Sequence, residues 1–526
     1  MPVLPKRILT FGAGIMTDRM ASRLRRPAVP AQNKIYRQLI RQLSATERGK
    51  SHGIKSGLDY EHFVQNVPLC RYEDLAPQIE RMKNGEADVL WPGQCSLYAL
   101  SAGTTAKPKF LPVTPALLKH FRSAGLASLL FYASRVGHAG VFYGRHLLLG
   151  GSAKLSPISE SSTFKSFGGD LSGIIAHEIS PAVEKHYYEP GTEIAQMSDS
   201  PDKLAAILNR IHYRDITMMM GIPSTLLILA HALREHARTK KILPTNLQAI
   251  WPNFECLVHG GAPIGPYVDE LKKVCGPEVN LHEIYPASEG FIAAQDDESA
   301  LGLRLITDAG IFYEFLPLVS YDENRLAHLG AKAIHLADVK VGVDYVLLMT
   351  TPAGLCRYVV GDVIRFTSTE PPRLVYVGRT KLRLSAFGEH VAEKELTDSL
   401  LKVCRQHDWT ITNFHVAPLI ANSLTGRSHG WHEWWIELIP GTVITPTGPV
   451  LAVELDEALG KRNADYAAKR KAGTLKPPIV RLLMPGTFEN WMRSSDHWGG
   501  QKILPRCSND REIADGLARI ARFTPD

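Results

Sequence analysis

A chain of 526 residues is long enough for two or three domains, each with its own core. Apolar residues make up 44% and charged residues 21%, the balance of an ordinary globular protein, with a net charge of +7. No apolar run reaches the roughly 18 residues of a membrane span, and the basic clusters at 23–26 and 469–471 read as solvated helix faces, not as a nucleic-acid stripe. The positive excess suits an anionic small substrate.

Seven scattered cysteines, with no C-x-x-C pair, argue against a disulfide framework or a zinc site and for a reducing compartment, read as the cytoplasm. Lys6 and Arg7 precede a short apolar run, as in a signal peptide. Asp18, Arg19 and further arginines follow at once without a small-residue cleavage site, so no leader is expected.

In chain order, residues 12–50 suggest amphipathic helices, 60–68 a short strand or loop, and 72–82 a helix. The stretch 98–114, YALSAGTTAKPKFLPVT, combines small residues, hydroxyls (Ser101, Thr104, Thr105), Gly103 and two lysines, Lys107 and Lys109. Such a turn lets backbone N–H groups cradle an anion. It lacks the second Gly-Lys-Ser/Thr of a Walker loop, and a plain Ser/Thr-rich surface loop is the alternative. Pro115 then opens a helix to about 134. A strand at 146–151, a helix at 201–213, the Met-rich strand 216–220 and a helix at 225–238 follow. Strands alternating with helices predict an α/β fold with a largely parallel sheet, ligands binding at strand C-termini.

The strand of CLVHGGAP ends in Gly260 and Gly261, where a flat ring can lie on bare backbone; a plain strand–helix turn is equally compatible. A strand over 281–289 ends in YPASE. Tyr285 suits a nucleoside, and Glu289 suits Mg²⁺ shared with phosphates. Strands at 311–316 and 344–349 lead to CRYVVGD, where Asp362 can accept both hydroxyls of a ribose. Alternatives are an ion pair for Arg357 and a turn role for Asp362. Met220, Ile222 and Leu226 would line an adaptable apolar acid pocket, or simply pack a core.

The order of these segments, ending in Gly378-Arg379, resembles that of adenylate-forming enzymes. More closely it resembles the auxin-responsive Gretchen Hagen 3 family of acyl-acid amido synthetases. SAGTTAKPKFLPVT, YPASE and CRYVVGD match that family's three motifs in order, and YEFLP (313–317), LDEALGKRNADY (455–466) and GGQKILPRC (499–507) extend the likeness over most of the chain. Ala102 and Ala106 replace the usual Ser and Ser/Gly, Pro286 lies inside the second motif, and His390 stands where Lys or Glu is common.

The resemblance implies an α/β fold. A large N-terminal adenylate-forming domain over 1–381 would carry sheets with flanking helices and a barrel-like subdomain, and 382–526 would form a small mobile α/β lobe. Within the lobe, 391–407 and 451–471 read as helices. It also implies ATP and Mg²⁺, with Ser101, Gly103, Thr104, Thr105 and Lys109 on the phosphates and Glu289 on the metal. Gly260, Gly261, Tyr285 and Ser288 would lie about the nucleoside, Asp362 and Arg379 at the ribose, and Lys502 on the transferring phosphate. The implied partners are a small carboxylic acid and an amino acid. Neither nucleic acid nor membrane is expected, and a monomer is favoured. An acyl-coenzyme A ligase sharing the adenylation step, or an inactive relative, are the other readings.

Overall fold

The computed structural model describes residues 26–101, 109–159, 163–197, 201–262, 264–380, 383–387, 389–407, 409–421, 429–438, 447–494 and 504–521. These fall into two units, one drawn from Met1–Ala262 and Lys272–Tyr376, the other from Pro263–Leu271 and Val377–Asp526. Among the described residues no helix is long and apolar enough to cross a membrane.

In the first unit, strands β1 (Leu97–Ser101) and β2 (Lys109–Pro112) form an antiparallel pair. Strands β3 (Arg145–Leu148), β4 (Ser156–Pro157), β5 (Phe167–Gly169), β6 (Tyr188–Glu189), β7 (Ile216–Gly221), β8 (Cys256–His259) and β9 (Asn280–Ala287) follow. Then come β10 (Gly290–Ala294), β11 (Leu303–Leu305), β12 (Phe312–Pro317), β13 (Ile334–His335), β14 (Asp344–Thr350), β15 (Tyr358–Thr369) and β16 (Pro372–Arg379). A small sheet has the order β2-β1-β5-β4. The main sheet runs β13-β12-β14-β15-β16-β11-β10-β9-β8-β7-β3-β6.

That sheet changes character at β9. On one side β8, β7, β3 and β6 are parallel, and β7 (ITMMMG) is buried over its first four residues, as expected of a covered parallel strand. On the other side antiparallel pairs join β9, β10, β11 and β16 in turn, and likewise β12, β14 and β15. Their inward residues, among them Tyr285, Ile292, Leu303, Phe315, Leu347 and Ile364, share one core, so this half curls on itself like a barrel. The Pro115–Val136 helix packs on the parallel half through Leu117, Phe121 and Ala124 against Met218, Val258 and Ile284. Thr114 caps it by accepting from the Leu117 N–H, Pro115 occupies its first turn, and Gly137 ends it at φ 79°.

The second unit has a hairpin, β17 (Arg383–Leu384) with β18 (Val391–Ala392), and a sheet of β19 (Ile411–Ala421), β20 (His429–Leu438) and β21 (Ile479–Leu483). Successive side chains of β20 face opposite layers. Trp434 packs with Leu396, Leu400 and Leu451 of two helices, and Trp435 with Phe488, Trp491 and Leu517 of two others. Glu389 and His432 form a fully buried pair at 2.9 Å. The sequentially distant Tyr267 belongs here, its hydroxyl donating to the Thr412 carbonyl at 2.6 Å.

Two expectations are corrected. Residues 60–66 are a helix, not a strand or loop, because the Asp59 carboxylate caps it at the His62 N–H. The single helix expected over 451–471 is two, Gly448–Gly460 and Ala464–Lys471, because Asn463 caps a new start by accepting from the Tyr466 N–H at 2.7 Å.

One polar knot in the first unit joins Arg357 to Glu314, both buried. Arg357 Nη2 lies 2.8 Å from Glu314 Oε1 and Nε 3.1 Å from both carboxylate oxygens. Nη1 donates to the carbonyls of Val64 and Val67, Nη2 also to that of Gly330, and the Tyr60 hydroxyl donates to Glu314. Removing the guanidinium leaves a buried carboxylate without its countercharge. Arg357→Met should therefore cost about 3–5 kcal/mol in urea unfolding, and adding Glu314→Leu should recover part of it. Parent-like stability of the single variant would contradict this.

Candidate functional site

The phosphate-loop candidates Gly103, Thr104 and Thr105 lie outside the described residues, as does Lys502, and of Ser101 only its strand backbone is described. Ser101 and Lys109 are paired across β1 and β2. Lys109 Nζ lies 3.8 Å from Glu73 and 5.5 Å from the Tyr72 ring centre, and the Tyr72 hydroxyl accepts from the Phe110 N–H at 2.9 Å.

Gly260 and Gly261 follow β8. A Cβ on Gly260 would stand 2.5 Å from the Ile284 carbonyl oxygen and 3.0 Å from Pro286 Cδ, so β8 can pass β9 this closely only with glycine there. Gly261 has φ 78°. The pair thus has a structural reason of its own, and it puts exposed backbone beside the end of β9.

β9 ends at Ala287, and Ser288 and Glu289 form the two-residue turn into β10, with Ala287 facing Gly290. His120 supports this turn from below. Its Nδ1–H donates to the Ala309 carbonyl at 2.8 Å and its Nε2 accepts from the Phe291 N–H at 2.9 Å. Burial pushes the His120 pKa down to about 4, so it is the neutral tautomer that holds the turn.

Asp362 sits at an irregularity of β15. Val359 faces Leu348 and Val363 faces Val346, so β15 uses four residues where β14 uses two, and Gly361 takes φ 91°. Such a bulge re-aims a side chain. The buried Asp362 carboxylate accepts from the Tyr285 hydroxyl at 2.6 Å, across four places in the strand order. The second and third motifs are therefore brought together. Burial, then the negative charge of Glu289, push the pKa of the buried Tyr358 phenol up. Glu73, the partner of Lys109, adds to the same effect.

Arg357 is not a ligand group. It is the ion-paired clamp described above, at φ 50°, the alternative that its residue type allowed. Arg379 is the exposed last residue of β16. Met220 faces Leu148 and Val258 and is half-buried in the cluster that includes Leu117 and Phe121. Ile222 is half-buried and precedes the Pro223–Thr239 helix. Leu226 is fully buried and packs near Gly221, a core position.

Sequence reasoning missed Glu314 and His120, which act through tertiary contacts that no local pattern encodes. A hard cation here would have Glu289 as its carboxylate and share the rest of its shell with phosphate oxygens. Among the described residues there is no group of three or more His, Cys, Asp and Glu able to hold a metal.

Family models match in three consecutive stretches: the GH3 family N-terminal domain over residues 20–280, the central domain over 304–379 and the C-terminal domain over 394–512. Curated relatives include indole-3-acetic acid-amido synthetase GH3.8 of Oryza sativa subsp. indica, 25% identical over 94% of this chain and 91% of the relative. Another is jasmonoyl–L-amino acid synthetase GH3.5 of Oryza sativa subsp. japonica, 22% identical over 89% of each. Among solved structures, the acyl acid amido synthetase AtGH3.15 in complex with 2,4-DB shares the fold at TM-score 0.77. It is 19% identical and covers 97% of this chain and 98% of that one. A 2-hydroxyisobutyryl-CoA ligase in the postadenylation state follows at TM-score 0.58 and 14% identity, covering 93% and 90%.

His259 and His282, like His120, are buried, and their pKa values are pushed down to about 3. Each binds fewer protons folded than unfolded between its folded value and the ordinary 6.5. Their stabilisation is thus complete above about pH 6.5 and is lost as pH falls toward 4. Thermal unfolding midpoints should drop over that interval, and His120→Gln, which cannot titrate, should make the drop shallower. An unchanged slope in that variant would refute the assignment.

Proposed function

The chain belongs to the GH3 family, and on that premise we propose that it is an acyl-acid amido synthetase working through an acyl-adenylate. A carboxylate oxygen of the acid attacks the α-phosphorus of ATP, forming an acyl–O–P bond and expelling pyrophosphate. The amine of an amino acid then attacks the acyl carbon, loses a proton and releases AMP. The first step builds charge on phosphate oxygens, so its catalysis is mostly positioning and electrostatic stabilisation.

The observation that carries this reading is the meeting of two motifs 77 residues apart, with Tyr285 on Asp362. In the proposal Asp362 accepts the ribose hydroxyls, and Glu289 holds Mg²⁺ against the phosphates. Gly260, Gly261 and the Tyr285 ring flank the adenine, with Ser288 nearby. Lys109 and the loop it closes face the phosphates, and Arg379 and Lys502 keep the roles that the resemblance gives them. The half-buried Met220 and Ile222 favour an acid with an apolar or aromatic body, and the relatives' names make indole-3-acetic and jasmonic acids the first to try. Seven buried free cysteines suit a reducing compartment such as the cytoplasm.

A second reading, acyl-coenzyme A ligase, is favoured by the fold shared with the 2-hydroxyisobutyryl-CoA ligase. One experiment addresses both. Incubation with ATP, Mg²⁺, hydroxylamine and a panel of acids should give hydroxamate, and replacing hydroxylamine by amino acids should give amides with release of AMP. Thioester with coenzyme A, and no amide, would select the second reading. In the same protein Asp362→Ala should weaken ATP binding by about 1.5–3 kcal/mol. Calorimetry giving an unchanged affinity in a folded variant would remove Asp362 from the site.

A further inference from the structure

Glu189 ends β6, the strand at one edge of the main sheet, and its side chain is fully buried. A carboxylate in that position needs positive charge beside it. Three arginines supply it. Arg145, the first residue of β3, has Nε 2.5 Å from Glu189 Oε1. Arg210, in the Pro201–Ile211 helix, donates from Nε to Oε2 at 2.5 Å. Arg214, between that helix and β7, has Nε 3.2 Å from Oε1. Glu184 is within electrostatic reach of Arg210, and the Thr192 N–H donates to it at 2.6 Å. Three guanidinium groups still outnumber two carboxylates, so the cluster is left positive.

The three arginines are not equivalent. Arg145 donates through its Nη groups to the carbonyls of Lys185, Glu184 and Tyr188, at 2.7, 3.0 and 3.0 Å, and is a structural clamp. Arg210 and Arg214 meet Glu189 through Nε. Among the described residues their Nη groups have no hydrogen-bond acceptor, and their side chains are 30% and 45% exposed. A guanidinium is planar and rigid, so holding it by Nε leaves the fork between its two Nη groups unused. A Cβ on Gly191, at φ 87°, would stand 2.8 Å from Arg210 Nη2, so glycine there leaves room for the guanidinium. Both forks rest on one buried carboxylate. They are therefore near neighbours, oriented in advance and open to solvent.

We propose that Arg210 and Arg214 form a binding site for a doubly charged phosphoryl group, either free phosphate or the phosphate ester of a small molecule. Two planar forks suit the several oxygens of a phosphate, whereas one carboxylate would fill one fork. The site lies beside the starts of β3 and β7, at the β6 edge and four places in the strand order from β9. Gly260 and Gly261 follow the far ends of these parallel strands, after β8. The site is thus separate from the candidate nucleotide site and does not depend on the adenylation reading. A bound phosphoryl group would neutralise the surplus charge, and binding to the folded state alone stabilises it.

The probes are inorganic phosphate and glucose 6-phosphate, titrated by calorimetry into the full-length protein without Mg²⁺ at constant ionic strength. R214Q leaves Arg145 and Arg210 on Glu189, and R214K keeps the charge without the fork; urea unfolding verifies that both are folded. The parent should bind one phosphoryl group per chain, and its thermal midpoint should rise with the probe. R214Q should weaken binding about ten- to a hundredfold, and R214K should also bind less tightly than the parent. ATP affinity and hydroxamate formation in phosphate-free buffer should be unchanged in R214Q. Tighter binding of glucose 6-phosphate than of phosphate identifies an ester as the ligand; equal binding identifies the free anion. Binding that R214Q leaves unchanged but K109A removes would place the anion at the candidate phosphate loop and overturn the proposal. No binding of either probe, or R214K equal to the parent, would overturn it as well.

Discussion

A buried guanidinium must find a partner for nearly every donor it carries, and Arg357 does so by gathering three separate pieces of chain. The Glu314 carboxylate on β12, the carbonyls of Val64 and Val67 at the end of a helix, and the Gly330 carbonyl all converge on it. Charge burial on this scale is tolerated only with complete pairing. The consequence is local rigidity at the residue just before β15. Tyr358 follows at once, the bulge with Gly361 comes three residues later, and Asp362 is its product. Cys70 joins the same strand start to the helix whose first residues, Tyr72 and Glu73, contact Phe110 and Lys109 at the far end of the candidate phosphate loop. The clamp thus fixes several site elements without touching a ligand.

The other organising element is β9, which belongs to both halves of the large sheet. Its parallel neighbour β8 delivers Gly260 and Gly261, and its antiparallel neighbour β10 closes the turn that carries Ser288 and Glu289. A sheet that changes from parallel to antiparallel, and whose antiparallel half curls, leaves the end of β9 facing β15. That is how residues four places apart in strand order come within hydrogen-bonding distance. His120, held neutral by burial, keeps the β10 backbone in register beneath the turn.

Much of this was legible in the residues. The alternation of strands and helices, the placement of YPASE at a strand end and the helix after Pro115 follow from period and capping chemistry. Asp362 was readable as a special position because it follows a glycine, although the turn expected there is a bulge within β15. Residues 60–66 were misread because a seven-residue helix has too few turns to show a period, and its start depends on one capping carboxylate, Asp59. The helix break at Asn463 was hidden by polar residues that suit either a helix face or a cap. The curl that joins Tyr285 to Asp362 has no local signature, since inward residues alternate alike in a flat and a curled sheet. The membership of Pro263–Leu271 in the second unit was equally invisible, resting on contacts such as Tyr267 with Thr412, 145 residues away.

The central claim is chemical: the acid is activated by attack of its own carboxylate oxygen on the α-phosphorus of ATP. Once an accepted acid is known, the most direct measurement uses that acid with both carboxylate oxygens labelled with ¹⁸O, together with unlabelled ATP, Mg²⁺ and an amino acid. The nucleotide product is then examined by mass spectrometry. The account predicts AMP carrying one ¹⁸O, because the oxygen bridging acyl carbon and phosphorus stays with phosphorus when the amine attacks the carbonyl. Formation of ADP with the label in inorganic phosphate, or of unlabelled AMP, would contradict it.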